Sequence, residues 1–375
     1  MERIHTDPRP DWQQRVEAQG FLFHTPEGET YWDESAYYRF SAAEVDAIEA
    51  ATVELNRMCL EAVQSVLDED QLDLFGIPKS HHAWIRQSWE TQENTIYGRF
   101  DLAYHPGRAP KLLEYNADTP TSLLEAAVIQ WHWLKDTQPG RDQFNSIHER
   151  LIEAWKQLGT GLGQNGIHFA NAGDSVEDFM TVNYLRDTAV QAGLPTAHIP
   201  MKSIGWNARQ GRFLDPAGRA ISTAFKLYPW EWMFHEAFAA NLLRAPTRWL
   251  EAPWKAILSS KAILVTLWEL FPNSPYLLRA EREPFGLSFI QKPLLGREGA
   301  NMALVLNGEI VQQTDGPYGK QPSIYQQACP LPVHGGNHAL VGSWMVNGNA
   351  CGMGIREDDQ PITGNTSRFV PHCMD

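Results

Sequence analysis

In the segment Gly98-Arg99-Phe100-Asp101-Leu102, a strand's period of two puts Arg99 and Asp101 on one face and Phe100 and Leu102 on the other. In Lys111-Leu112-Leu113-Glu114-Tyr115-Asn116 the same alternation groups Glu114 with Asn116 and sets Leu113 and Tyr115 opposite. The turn residues His105-Pro106-Gly107 lie between the two stretches, so a hairpin is expected. Pairing brings the oxygen ligands Asp101, Glu114 and Asn116 together beside one guanidinium. Hard donors of this kind suit Mg2+, which binds few carboxylates and completes its shell with phosphate and water. A solvated strand face with an Arg–Asp surface pair accounts for the same residues, and the hairpin by itself leaves both readings open.

Two lysines extend the chemistry. Lys261 opens an apolar helical run (KAILVTLWELF) after two serines, and Lys292 ends a strand (LSFIQK) before Pro293 and the loop Gly296-Arg297-Glu298-Gly299. A lysine at a strand end, then a glycine loop and another strand, is how a β-hairpin lid closes over a nucleotide's phosphates, with ammonium and backbone N–H groups as donors. The loop alone is a weak signal, since such glycine spacing occurs in many turns. No GxxxxGK[ST] is present, which excludes a P-loop as the phosphate cradle. Arg356 stands at a strand end beside Glu357, Asp358 and Asp359, where it can contact a transferring phosphoryl group. An ordinary surface salt bridge explains Arg356 equally well.

The elements that must position these groups are partly legible. Ser41 and Glu44 have capping-box spacing ahead of a helical pattern through Val45, Ile48, Leu55, Cys59, Val63 and Val66, so a long amphipathic helix is expected to open the fold. Residues 121–158 read as helical. From Gly166 to Asp187 the chain gives a short apolar strand (IHFA), a polar loop (NAGDS) and a helix, and a second strand (TAHIP) follows Gly193. That α/β unit suits a substrate-binding layer but lacks the glycine fingerprint of a dinucleotide fold. Asn307-Gly308 and Asn347-Gly348, each between apolar runs, predict type I′ hairpins and a β-rich last third. No repeat, low-complexity tract or linker is evident, so domain boundaries are soft.

With 375 residues, 43% of them apolar, the chain can bury a sizeable core and exceeds a minimal binding module. Its fourteen tryptophans are expected in that core. Forty-five acidic against 31 basic side chains give a formal charge of -14, which repels nucleic acid and anionic membranes and attracts a cationic amine. Cys59, Cys329, Cys351 and Cys373 form no CxxC pair, which fits a reducing cytoplasm. The N-terminus MERIHTDPRPDW has no apolar signal region, and the run Ala262–Phe271 is too short to span a bilayer. A cytoplasmic protein without a membrane or nucleic-acid partner is therefore expected.

The stretches YGRFDLAY, LLEYNADTPTSLLEAA, FKLYPWEWM, SSKAILVTLWELFPN, KPLLGREGAN and SWMVNGNACGMGIRED together resemble the synthetase half of the glutathionylspermidine synthetase family, which is of ATP-grasp type, and its shorter relatives described as acid–amine ligases. The blocks run from about Tyr97 to the C-terminus, and the combination is specific where each piece is not. It weighs against the surface-pair reading. The resemblance implies an α/β (α+β) permuted ATP-grasp fold, with magnesium ligands preceding the lid in sequence, as Asp101 precedes Lys292 here. One ligase module over 1–375 is expected, with helices and a metal-binding hairpin in 1–160, an α/β substrate layer in 161–225, and the lid and nucleotide-binding sheet in 226–375.

Residue by residue, Arg99 matches the arginine that steadies the transferring phosphoryl group, and Asp101, Glu114 and Asn116 match the ligands of two magnesium ions. Lys261 and Lys292 match nucleotide-binding lysines, and Phe100, between Arg99 and Asp101, falls in the same nucleotide-contacting stretch. Gly299 falls in the lid loop, and Gln327 and Ile362 fall where the family contacts ATP. Arg356 matches an arginine near the phosphoryl and acyl groups. The chemistry implied is attack of a small, peptide-like carboxylate on the γ-phosphate of ATP to give an acyl phosphate, followed by displacement of phosphate by an amine. The bifunctional members carry an amidase domain with a nucleophilic cysteine; this chain has no length for one before Arg99, so hydrolysis of the amide is not expected. Two other readings stand beside this one. The first is an ATP-binding regulatory or interaction protein, and the second a Mg2+-dependent phosphotransferase, which needs a general base that the sequence does not reveal.

Overall fold

The helix expected after Ser41 forms, but two strands come before it. In the computed structural model, which describes residues 1–162, 166–173, 175–365 and 367–375, β1 (Glu2–His5) pairs antiparallel with β2 (Ala36–Phe40), and the chain then enters α1 (Ala42–Asp68). The Ser41 hydroxyl accepts from the Glu44 backbone N–H while the Glu44 carboxylate accepts from that of Ser41, the reciprocal cap that starts the helix. Val45, Ile48, Leu55, Cys59, Val63 and Val66 are all buried along its inner face.

The hairpin forms next from β3 (Tyr97–Ala103) and β4 (Lys111–Asn116). The helical reading of 121–158 is corrected: a π-type turn over Glu125–Ile129 runs into the helix Gln130–Thr137, an irregular stretch follows, and only then does α2 (Ile147–Gly159) begin. Gln138-Pro139-Gly140 is the reason, since proline removes a backbone donor and clashes with the preceding turn.

The α/β unit follows as β5 (Ile167–Asn171), α3 (Val176–Gln191) and β6 (Thr196–Pro200), with Asp174 of the polar loop outside the described residues. β7 (Thr223–Leu227) and β8 (Arg248–Leu250) complete a parallel sheet in the order β8-β7-β5-β6. One buried ion pair ties this sheet to the hairpin's exit: Lys226 Nζ on β7 donates to Asp118 Oδ1 at 2.6 Å and lies 4.2 Å from the Trp230 ring centroid. Lys226→Met leaves Asp118 charged and unpaired in the interior, so a loss of about 3–5 kcal/mol in urea unfolding is expected. A loss under about 1 kcal/mol would show that the pair does not hold these layers together.

After α4 (Ile263–Leu270) the chain is almost all β. An antiparallel sheet is built from β9 (Ala280–Glu281), β10 (Phe289–Pro293), β11 (Ala303–Leu306), β12 (Glu309–Gln313) and β13 (Ser323–Gln327) in the order β9-β13-β10-β11-β12. β14 (Asn337–Val346), β15 (Asn349–Asp358) and β16 (Arg368–Val370) then join the early hairpin in the order β16-β15-β14-β3-β4, and β17 (His372–Met374) lies parallel to β2. Both Asn-Gly turns are present, with φ of 54° and 85° at Asn307-Gly308 and 47° and 76° at Asn347-Gly348, the left-handed pair a type I′ turn requires. Trp32, Trp133, Trp155, Trp230, Trp249 and Trp344 are fully buried, as core packing predicts, whereas Trp232 is 42% exposed. Among the described residues no helix is long and apolar enough to cross a membrane.

Candidate functional site

The hairpin's register sets Asp101 opposite Glu114 and Arg99 opposite Asn116. Arg99 Nε and Nη2 donate to the two carboxylate oxygens of Asp101 at 2.6 and 3.1 Å, and Nη1 donates to the Thr121 carbonyl at 2.7 Å. The Asn116 amide donates to Asp101 at 3.0 Å and to Glu114 at 3.2 Å, drawing all four side chains into one patch. β14 makes room for it: a Cβ on Gly342, the cross-strand partner of Asp101, would stand 2.8 Å from Arg99 Cδ. The hairpin is part of a wider sheet with β14, β15 and β16, and Arg99 and Asp101 are buried in the folded chain, so the surface-pair reading does not describe them.

Strict alternation fails at one residue. A β-bulge between Asp101 and Leu102 leaves Leu113 as an extra residue on β4, and Leu113 lines the same cavity as Glu114 instead of facing away from it. Phe100 is the other correction. Its ring is fully buried, stacks on Tyr115 with centroids 3.9 Å apart, and lines neither of the cavities described below.

Arg99, Asp101, Glu114, Asn116, Lys261 and Arg356 all line one cavity of about 240 Å3, together with the loop from Gly296 to Gly299. A narrower slot of about 90 Å3 shares Asp101, Glu114 and Gly299 with it and is lined further by Lys292, Gln327 and Ile362. Its remaining walls, including Ile290, Met302 and Leu340, are apolar. Lys261 Nζ lies 3.1 Å from Glu114 and donates to the Gly296 carbonyl at 2.6 Å. Lys292 Nζ donates to the Leu113 carbonyl and to Gln326 Oε1, both at 2.8 Å. The lid residue Gly299 (φ 70°) can be only glycine here, because a Cβ would approach the Thr363 carbonyl oxygen to 2.5 Å.

The electrostatics follow from burial and these neighbours. Burial works to raise Glu114, but the Lys261 and Lys292 ammoniums outweigh it and hold the carboxyl at about 2. Burial pushes Asp101 above its ordinary value, with the Arg99 guanidinium pulling the other way. Burial brings Lys292 down to about 8, against the attraction of Glu114.

Arg356 donates to the carbonyls of Gly364 at 2.5 Å and Asn365 at 3.1 Å, and its buried Nε has no partner among the described residues. Its acidic neighbours behave differently from the solvated cluster that their sequence suggests. Glu357 is fully buried and holds Arg3 at 2.7 and 2.9 Å and the Tyr38 hydroxyl at 2.8 Å, so it faces away from the cavity. The acidic lining comes instead from Glu177 and Asp178 at the start of α3, from Glu231, and from Glu298 in the lid. Burial and Glu177 raise Asp178 to about 6, and Glu177 itself is raised, chiefly by burial. Sequence reading missed these groups. The only local signal was the N-cap serine before Glu177-Asp178, with Ser175 accepting from the Asp178 N–H at 3.1 Å.

Asp101, Glu114 and Asn116 offer hard-oxygen donors at one point of the cavity wall, and a half-turn of the Asn116 amide presents its oxygen in place of its nitrogen. This donor set fits Mg2+, which takes one or two carboxylates and fills its shell with water and phosphate. It does not fit an ion that needs an all-carboxylate or histidine cage, and among the described residues no group of three or more His, Cys, Asp and Glu side chains is arranged to hold a metal. The charged cavity opening into an apolar slot can bind a molecule with a polyanionic end and a flat apolar end.

Comparison with known proteins places the chain among recognised relatives. The profile of the glutathionylspermidine synthase preATP-grasp family matches residues 3–375. A Haemophilus influenzae protein provisionally named as an acid–amine ligase is 40% identical, with 99% of each chain covered. The bifunctional glutathionylspermidine synthetase/amidase of Escherichia coli is 30% identical over 89% of this chain, and the trypanothione synthetase of Crithidia fasciculata is 30% identical over 84%. The matched regions span 58% and 53% of those two proteins. In overall fold the chain is similar to a glutathione synthetase-like effector from Globodera pallida, with a TM-score of 0.58 at 9% identity over 99% of this chain and 98% of that one. A mixed α/β architecture is thus shared.

Proposed function

Since the chain belongs to the glutathionylspermidine synthase preATP-grasp family, and with it to the ATP-dependent acid–amine ligases, we propose that it joins a small peptide-like carboxylate to an amine through an acyl phosphate, using ATP and Mg2+. The observation that carries this reading is the convergence of Arg99, Asp101, Glu114, Asn116 and Lys261 on one cavity, with Lys292, Gln327 and Ile362 lining the adjoining slot. In this reading the whole chain is one ligase module.

Mg2+ held by Asp101, Glu114 and Asn116, as one ion or two, would neutralise charge on the phosphates during transfer. Lys261 and Lys292 bind the same phosphates as cations, and the apolar slot beside Lys292 takes the purine. Arg99, locked by Asp101 and the Thr121 carbonyl, presents fixed charge where the γ-phosphoryl group loses its leaving group. Arg356 orients the carboxylate with its buried Nε, which has no partner among the described residues. No side-chain nucleophile is required. The lid excludes water, which would hydrolyse an acyl phosphate.

The acidic lining, with the net charge of -14, favours a polyamine or basic amino compound as acceptor. The deciding experiment is turnover of ATP against mixed carboxylate and amine pools, with mass detection of products. New amides together with ADP and phosphate support the ligase. A phosphorylated hydroxyl compound would replace it with the phosphotransferase reading, and saturable ATP binding without turnover would replace it with the regulator.

The lid gives a second expected result. Arg297 lies 3.7 Å from Glu231 and 5.9 Å from the Trp232 ring centroid, so the loop already leans across the cavity mouth. Hydrogen exchange over residues 296–301 should slow at least several-fold with an ATP analogue and Mg2+, because its backbone donors then gain partners. Equal exchange with and without saturating nucleotide would make the loop an ordinary turn.

A further inference from the structure

The hairpin loses one of its strands at Asn116. This last residue of β4 pairs with Arg99, so no residue of β4 meets Tyr97 at the start of β3. A buried ion pair takes that place. Glu251, just after β8, accepts from the backbone N–H groups of Ile96 at 3.0 Å and Tyr97 at 3.1 Å, and Lys255 Nζ donates to the Tyr97 carbonyl at 2.6 Å and to Glu251 at 2.8 Å. Both side chains are buried. Carboxylate and ammonium thus supply the acceptor and the donor that a neighbouring strand would present, where unpaired backbone groups would cost free energy. An apolar pair of the same volume often serves stability as well as a buried ion pair does, but it cannot bind a backbone N–H and C=O.

Tyr97 passes this hold on to Arg99 by two routes. Its hydroxyl donates to the Pro120 carbonyl at 3.0 Å, and the next carbonyl, that of Thr121, accepts from Arg99 Nη1 at 2.7 Å. Its ring lies 5° from parallel to that of Trp344, with centroids 6.2 Å apart, and the Arg99 guanidinium stands 5.5 Å from the Trp344 ring centroid. Lys255 also opens the short helix Lys255–Ser259, which delivers Lys261 to the same cavity. The buried pair of Lys226 and Asp118 differs: it engages the Trp230 N–H and, among the described residues, no backbone atom of β3.

We propose that Glu251 and Lys255 are positioning residues for phosphoryl transfer: their ion pair fixes the backbone at Tyr97 and, through Tyr97, the direction of the Arg99 guanidinium. The proposal rests on the ligase reading above for the step that Arg99 serves. A displacement of about 1 Å at a reacting group can cost about a hundredfold in rate, so loss of the pair is read in kcat and not in nucleotide binding.

Glu251→Gln removes the charge and one acceptor oxygen, and should lower kcat per folded molecule by about tenfold to a hundredfold, with KM for ATP changed less than about twofold. Tyr97→Phe leaves the ion pair and the ring stack in place and deletes only the bond to Pro120, so it should stay folded and lose about tenfold in kcat. A purely structural role would lower the folded fraction and leave kcat per folded molecule unchanged. In an Arg99→Lys background both substitutions should cost less than about twofold, because the group they aim is gone. Losses undiminished in that background, or kcat per folded molecule unchanged in both variants, would overturn the proposal. Nuclear magnetic resonance of the protein without substrates separates it from the ligase reading. The Arg99 Nε–H signal, assigned by its absence in Arg99→Lys, should be protected by the bond to Asp101 in the parent protein and exchange at least several-fold faster in Glu251→Gln and Tyr97→Phe. Where Glu251→Gln does not fold, Tyr97→Phe carries both measurements. Faster exchange supports the positioning role even if no acid–amine combination turns over, and equal exchange in folded variants overturns it.

Discussion

Arg99→Ala is expected to lower amide formation by roughly a thousandfold or more, the scale on which an arginine contributes to phosphoryl transfer. The loss should fall on kcat, with KM for ATP changed only a few-fold, because the guanidinium is held by Asp101 and the Thr121 carbonyl on the cavity wall while the proposed nucleotide contacts are Lys261 and Lys292. Arg99 is buried, so the alanine variant also leaves the Asp101 carboxylate without its partner, and its fold must be checked by circular dichroism. Arg99→Lys is the sharper variant. It keeps the positive charge and loses the planar fork that spans both Asp101 oxygens, so it should remain folded and still lose most of the rate. Activity of the lysine variant within tenfold of the parent protein would remove Arg99 from the transfer step.

The second large effect is expected at the proposed metal ligands. Asp101→Asn, Glu114→Gln and Asn116→Ala should each reduce Mg2+-dependent turnover by about a hundredfold or more, since each removes a hard-oxygen donor or its charge from one small patch. Glu114 is informative because Lys261 and Lys292 hold it ionised at about 2. Its stability contribution is complete above its ordinary pKa and is lost only as pH falls through about 2, so no working pH confuses its titration with metal loss. The measurement is a Mg2+ titration of turnover at fixed ATP, alongside circular dichroism. A raised Mg2+ requirement in a folded variant supports the assignment. Full activity of all three variants at ordinary Mg2+ would sink it and leave the ligase fold to be explained by another metal site.

How much of this was legible depended on how far each signal reaches along the chain. The Ser41–Glu44 cap, the Asn-Gly turns and the pairing of β3 with β4 through His105-Pro106-Gly107 are settled by residues a few positions apart, and they form as expected. Side-chain alternation placed Arg99, Asp101, Glu114 and Asn116 on one face for the same reason. The family resemblance then pointed to Lys261, Lys292, Gly299, Gln327, Ile362 and Arg356, all of which line the two cavities.

Tertiary structure decided the rest. Leu113 turned toward the site because a bulge, which depends on both strands together, shifted the alternation by one. Phe100 became core because Tyr115 stacks on it. Glu357 looked like part of an acidic surface and is instead a buried partner of Arg3, more than three hundred residues away. The acids that do line the cavity come from segments with no local sign of their neighbours. Sequence alone therefore determined the hairpin chemistry and the turns, whose geometry is written within a few peptide units, while burial, and with it every shifted charge in the site, waited for distant strands and helices to exclude water from around those residues.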